Sequence, residues 1–234
     1  MKFQNVVIDS PEKWLQYAPP MRKDKQWADG RSAKELANYI TKEPMKIPKE
    51  LEDAILAIKS PIHELIWEAE YVTPFPRKTY GQGEGRNHDM IICGDGLFIG
   101  VEAKADEAFD KPLSKWLTEG NSVNSPANRQ KRANAMCNLI FGKDISGHEN
   151  IRYQLLSAMT GILLEAEKRN LDTAALFILT FKKKGFFKQE NIDRNEKDLK
   201  AFLDAAGYDS NTGKIKTNSR IANVYVKHIT IDID

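Results

Sequence analysis

Cysteine and histidine are scarce in this chain, and long apolar runs are missing from it. Only Cys93 and Cys137 occur among 234 residues. They show neither a C-x-x-C pair nor Cys/His ligand spacing, so a disulfide framework and a structural zinc site are both unsupported. Each sits among apolar neighbours and is expected as a packed thiol. His63, His88, His148 and His228 are scattered and form no H-x-x-x-H pair, so a histidine metal centre is not expected. No stretch reaches the apolar length needed to cross a bilayer. The opening MKFQNVVIDSPEKWLQ lacks the basic segment and apolar run of a secretory leader, which makes a cytoplasmic, membrane-free protein the expectation. Ser32, Ser122 and Ser125 stand in no G-x-S-x-G elbow, leaving a serine hydrolase without support. The G-x-G-x-G of Gly81, Gly83 and Gly85 has no helix after it, so it reads as a loop rather than a phosphate-binding fingerprint. Internal repeats and low-complexity tracts are absent.

Neither sign of charge dominates. A net charge of +2 is too small to indicate a polyanionic partner. Distribution says more: basic residues cluster at Arg129, Lys131 and Arg132, at Lys182, Lys183 and Lys184 with Lys188, and at Lys214, Lys216 and Arg220. Each cluster suits phosphate neutralisation, and each reads equally well as solvated surface. The run FKKKGFFK from Phe181 to Lys188 either lies beside a nucleic-acid backbone or gives Phe186 and Phe187 to the core.

What is present is the composition of one compact domain, 41% hydrophobic and 29% charged. Ser32 offers a cap for a short helix over Ala33–Thr41, and Pro48 leads a second helix striped by Leu51, Ile55, Leu56 and Ile58. Glu64–Thr73 is ambiguous between helix and strand. Asp106–Asn128, with Pro112, Gly120, Asn121, Asn124 and Pro126, reads as a long irregular segment. Asn128–Phe141 looks helical, as does Ile151–Arg169, where apolar residues recur at helical spacing. TAALFILTF from Thr173 to Phe181 has the continuous apolar character of a strand buried on both faces. Glu196–Ala206 is a further helix and Val224–Ile233 a last strand. This order predicts an α/β fold, three-layer α/β/α around a central mixed sheet. It forms one domain over 1–234, with a helical part at about 1–62 and a core at about 63–234.

The segment RNHDMIICGDGLFIGVEAKAD, Arg86 to Asp106, carries the most chemistry. Met90–Cys93 and Leu97–Val101 are strand-like, and Asp95-Gly96 favours a two-residue primed turn. That turn pairs Gly94 with Leu97 and places Asp89 directly opposite Glu102. Opposed residues share a face with Cβ atoms roughly 4.5 to 5.5 Å apart. Period-two alternation adds Lys104 to the same face and sends His88 to the other. Two carboxylates so placed repel unless a cation lies between them. Mg²⁺ prefers oxygen ligands and is usually held by one or two carboxylates while keeping waters and substrate phosphate. A lysine beside it can orient a water or neutralise charge growing on a phosphate.

His-Asp89, the turn, and then Val-Glu102-Ala-Lys104 resemble the core of the PD-(D/E)XK, or restriction-endonuclease-like, nuclease superfamily. The resemblance implies Asp89 and Glu102 as ligands of Mg²⁺ or Mn²⁺ and Lys104 as the lysine of the E-x-K pair. His88 stands where the superfamily's name puts proline. Family members often carry a glutamine on a helix after the E-x-K strand, which points to Gln154. They also carry a first-motif glutamate on a helix before the sheet, for which Glu35 is the first choice, with Glu52, Glu64 and Glu70 as competitors.

The expected activity is hydrolysis of phosphodiester bonds in DNA, with RNA as an alternative polymer. The resemblance implies a role in defence, restriction or DNA processing, where a partner protein of such a system is expected. A homodimer is expected from the symmetry of double-strand cleavage. Two other readings remain: a non-catalytic nucleic-acid-binding or assembly module, and a structural protein in which Asp89 pairs with Lys104.

Overall fold

Apolar side chains of the central strands alternate, and the alternation sends them to two separate cores on opposite faces of one sheet. The computed structural model describes residues 2–3, 6–20, 26–43, 46–119, 125–183 and 185–233. Its strands are β1 (Lys2–Phe3), β2 (Val6–Val7), β3 (Ile66–Thr73), β4 (Arg86–Gly94), β5 (Leu97–Lys104), β6 (Thr173–Lys182), β7 (Lys214–Ile215) and β8 (Asn223–Asp232). They form one open eight-stranded sheet in the order β2-β1-β3-β4-β5-β6-β8-β7. β3, β4 and β5 run antiparallel, whereas β5, β6 and β8 are parallel, so the sheet is mixed and the fold is α/β.

The helices are α1 (Pro11–Tyr17), α2 (Ser32–Thr41), α3 (Lys49–Leu56), α4 (Arg77–Tyr80), α5 (Leu113–Thr118), α6 (Pro126–Phe141), α7 (Tyr153–Lys168) and α8 (Gln189–Ala205). Trp14, Leu36, Ile40, Leu51 and Ile55 of α1 to α3 share a core with Ile92, Ile99, Val101 and Phe177. Met136, Leu155, Ile162 and Phe202 of α6 to α8 share the other with Ile91, Phe98, Leu176 and Ile178. β6 lies between two parallel neighbours and is buried from Thr173 to Phe181, which is why its sequence is apolar without a break.

Several expectations shift. The ambiguous Glu64–Thr73 stretch is strand β3, paired with β4 along its length. The segment 106–128 is not irregular throughout: α5 forms at Leu113, whose buried side chain and N–H, bonded at 2.9 Å to Ile151 O, anchor it. Ser32 is the first helical residue of α2 and not its cap, because its N–H is drawn to Glu107 Oε1 at 3.0 Å. The helix expected from Glu196 already begins at Gln189. The helical part at 1–62 also supplies β1 and β2, which extend the sheet beside β3. Cys137 is buried and Cys93 half-buried, both as free thiols. No helix among the described residues is long and apolar enough to cross a membrane.

Candidate functional site

The β4–β5 hairpin closes on Asp95 and Gly96, with φ of 50° and 76° at the two turn residues. Both values lie in the left-handed region that a type I′ turn requires, and the Asp-Gly pair tolerates it. Register follows from that turn. Gly94 pairs with Leu97 and Met90 with Val101, so the next residues outward, Asp89 and Glu102, are level with each other. Asp89 reaches across to β5, where its Oδ2 accepts the Ala103 N–H at 2.8 Å.

Glu102 is buried and fully engaged. Its Oε1 accepts Lys104 Nζ at 2.5 Å and also the Gln154 side-chain amide, and its Oε2 accepts the Arg86 guanidinium. Lys104, likewise buried, also donates to Ala103 O at 3.0 Å and lies 5.5 Å from the centre of the Phe109 ring. Gln154 stands in the first turn of α7, so the packing of that helix on β5 carries it to Glu102. Asp89, Glu102, Lys104 and Gln154 are therefore brought together.

Glu35 is not. Its helix packs through Leu36, Ala37 and Ile40 into the core on the opposite face, and its Oε1 accepts the Gly30 N–H at 2.6 Å. The acid that joins the set is Glu70 on β3. The β3–β4 register places it level with Asp89, so Glu70, Asp89 and Glu102 stand in one row across three strands. Glu70 has φ of 47° and its Oε2 accepts the Asn87 side-chain amide at 2.7 Å. Burial, then the neighbouring Asp89 charge, push the Glu70 carboxyl up to about 8. Burial, then the Glu102 charge, push Asp89 up to about 6. The shared cause is crowding of carboxylates with too little water around them.

Alternation resets in both strands at this row. On β3, Ala69 and Tyr71 enter opposite cores although two residues apart. On β4, Met90 faces the core of α1 to α3, while the His88 ring lies against Gly161 of α7. His88 is thus not sent away from the α7 face: alternation on β4 resets between His88 and Met90, beside the left-handed Glu70 of β3. Its ring fills the space over Gly100 and Gly161, where an added Cβ would come within 2.8 and 2.6 Å of its nitrogens. Both nitrogens are buried without a partner, and desolvation holds the ring well below the usual histidine range.

The face continues beyond Lys104. Thr180 is its register partner on β6, and Thr180 Oγ1 lies 2.9 Å from His228 Nε2. Glu70 is one of the competitors offered for the first-motif glutamate, in a stretch ambiguous between helix and strand, whereas Arg86, Thr180 and His228 are absent from the sequence motif. Arg86 opens the strand three residues before Asp89 with no spacing signal of its own.

Of the basic groups, Arg132 is buried and consumed by the carbonyls of Tyr80, Gln82 and Glu84, at 3.2, 3.1 and 2.9 Å. Arg129 donates to Trp116 O and its guanidinium lies 4.7 Å from the Trp116 ring centre. Both therefore brace structure: Arg132 fixes the 80–84 loop that leads into β4, and Asn128 adds hydrogen bonds to Gln82 N and O at 2.7 and 2.8 Å. Lys131 is exposed. Lys182 pairs with Glu196 at 3.2 Å, and Lys183 Nζ lies 6.0 Å from the Phe186 ring centre. Lys184 lies outside the described residues.

Among the described residues, no three His, Cys, Asp or Glu side chains are already gathered as a metal cage. The donor set nonetheless fits a hard cation. It offers only oxygen from carboxylates whose mutual repulsion such an ion relieves, and Mg²⁺ needs no more than one or two of them.

The fold and site define an α/β protein with a row of one buried and two half-buried carboxylates and a buried lysine at mid-sheet. The chain belongs to the DUF6946 family, a domain of unknown function, whose model matches residues 7–234. Comparison with curated proteins and with solved structures returned no match.

Proposed function

We propose that this chain is a metal-dependent nuclease that hydrolyses phosphodiester bonds, with DNA as its substrate, on a three-layer restriction-endonuclease-like fold. The observation that carries the reading is that Asp89, one step beyond the last β4–β5 pair, reaches the Ala103 N–H beside Glu102, two residues from Lys104 on the same strand, with Gln154 on the Glu102 carboxylate. The two cores on opposite faces of the sheet are compatible with the three layers.

Asp89 and Glu102 would hold Mg²⁺ or Mn²⁺. Bound there, the ion supplies Lewis acidity toward a phosphoryl oxygen and lowers the pKa of a bound water. Lys104 fixes the orientation of Glu102 through its ammonium and stands where it can align the attacking water or offset charge on the phosphate. Gln154 holds Glu102 from the helix side, which leaves that carboxylate one rotamer. Double-strand cutting by one site per chain calls for a symmetric pair, so a homodimer in a cytoplasmic defence or DNA-processing system is part of the proposal.

One observation favours a second reading. Both Glu102 oxygens are already satisfied within the chain, as in a structural ion-pair network; the expected Asp89–Lys104 pair is replaced there by Glu102 with Lys104 and Arg86. The test is incubation of plasmid, linear duplex, single-stranded DNA and RNA with Mg²⁺, Mn²⁺ or EDTA, comparing the natural chain with Asp89→Ala. Metal-dependent cutting lost in the folded variant supports the nuclease. A folded chain that binds no divalent ion and cuts nothing supports the structural network.

A further inference from the structure

Three carboxylates and two cations share the row, and the partners of Arg86 are the most unequal of the set. Its Nη2 donates to Glu102 Oε2, while its Nε is buried and has no acceptor. Lys104 and Gln154 converge on Oε1, so Arg86 alone holds the second Glu102 oxygen among the described groups. Its charge also acts on Glu70 and Asp89, lowering the proton affinity of both. Arg86 is the first residue of β4, directly after the braced 80–84 loop, and its side chain remains 14% exposed while that of Glu102 is 1% exposed. It therefore stands at the mouth of the site, with Glu102 behind it.

A guanidinium on Oε2 is a like charge beside any divalent ion seated on Glu102. Such an ion and Arg86 compete for the same electron density. Once displaced from Glu102, the guanidinium has lost its one acceptor and still carries a desolvated Nε–H. A planar fork with unmet donors is complementary to two oxygens of a phosphodiester.

We infer that Arg86 is an internal counterion that occupies the Glu102 seat of the divalent ion, sets the affinity for that ion, and passes to a substrate phosphate when the ion binds. This deepens the nuclease reading and rests on it. Arg86 is thus a phosphate-binding and positioning residue, distinct from the acids and the lysine of the motif.

The experiment is calorimetric titration of Mg²⁺ into the full chain and its Arg86→Gln and Arg86→Lys variants, with circular dichroism to verify folding. Binding of a labelled DNA duplex is measured alongside in Ca²⁺, which holds the complex without turnover. Arg86→Gln is expected to bind Mg²⁺ about tenfold more tightly, because a unit like charge has gone, and the duplex about tenfold more weakly, because a charge-assisted fork has gone. Arg86→Lys keeps the charge and loses the fork, so its Mg²⁺ affinity stays near that of the natural chain while duplex affinity falls. A folded Arg86→Gln that binds Mg²⁺ no more tightly overturns the inference and leaves the nuclease reading intact, provided the natural chain binds Mg²⁺ and cuts. If Arg86→Gln fails to fold, an Arg86→Lys with undiminished duplex affinity overturns it instead. A natural chain that binds no divalent ion defeats both.

Discussion

Glu70 is level with Asp89 on the adjacent strand, and it is there that the β3 backbone turns left-handed, with φ of 47°. A glutamate in that region is strained, and its half-buried carboxyl stands against a second acid. Strain and repulsion persist at the same residue, which is the pattern of a site kept for binding rather than for stability. Glu70→Gln is expected to stabilise the cation-free protein by about 1 kcal/mol, since glutamine is neutral without taking up the proton that the crowded row forces on Glu70. It should also reduce the rise in melting temperature caused by Mg²⁺. Urea denaturation in EDTA and thermal melts with Mg²⁺ check both halves, and a variant less stable in EDTA would contradict the account.

Gly161 and Gly100 leave the space that the His88 ring fills. A Cβ at Gly161 would lie 2.6 Å from His88 Nε2 and 3.1 Å from Arg86 Cβ, and one at Gly100 would lie 2.5 Å from Ile162 Cγ2. Gly161→Ala and Gly100→Ala should each cost roughly 1–3 kcal/mol through overpacking. Both should also weaken Mg²⁺ binding, because Arg86, His88 and Asp89 lie on one strand and move together. Denaturant midpoints and titration calorimetry test this, and unchanged stability at both positions would count against the packing described.

Arg132 braces the loop ahead of β4 and is not placed for phosphate. Arg132→Ala should destabilise the chain by about 2 kcal/mol, because the carbonyls of buried Tyr80 and of exposed Gln82 and Glu84 lose a charged donor. Hydrogen exchange should rise selectively across residues 81–85. An exposed phosphate contact would behave otherwise, with near-normal stability and a shallower dependence of DNA binding on salt.

His228 makes one contribution of defined sign to the pH dependence. Partial desolvation of its otherwise exposed side chain lowers its pKa from 6.5, opposed by Glu196 and reinforced by Lys182. The folded chain therefore refuses a proton that the unfolded chain accepts below about 6.5, so this contribution is constant above that pH and is lost as pH falls through it. His228→Gln should flatten the decline in unfolding free energy between about pH 6.5 and 5. A decline of unchanged slope would show that His228 is not responsible.

Much of the site was legible because a hairpin is a local structure. The Asp95-Gly96 turn fixes register by itself, and register alone sets Asp89 beside Glu102. Gln154 followed from a helix with a clear apolar stripe and one polar position near its start. Glu35 misled because a helical glutamate ahead of the sheet carries no information about which face its helix will cover. Glu70 was obscure for a related reason: its level with Asp89 is set by long-range pairing of β3, a stretch whose local pattern did not separate helix from strand. His88 lies on the unexpected face because period-two counting assumes an unbroken strand, and alternation on β4 resets between His88 and Met90. Arg129 and Arg132 looked like a basic patch in one dimension, yet α6 turns them toward carbonyls.

The most direct measurement is nicking and linearisation of supercoiled plasmid by the natural chain and by Lys104→Ala, with Mg²⁺ and with EDTA, on samples matched for folding and for Mg²⁺ affinity. The account predicts Mg²⁺-dependent cutting by the natural chain, none in EDTA, and a loss of at least about 100-fold in Lys104→Ala, in the range expected for removing one electrostatic group from a reacting centre. Equal cutting by the two proteins, or no cutting of any nucleic acid by a natural chain that binds neither Mg²⁺ nor Mn²⁺, would contradict it.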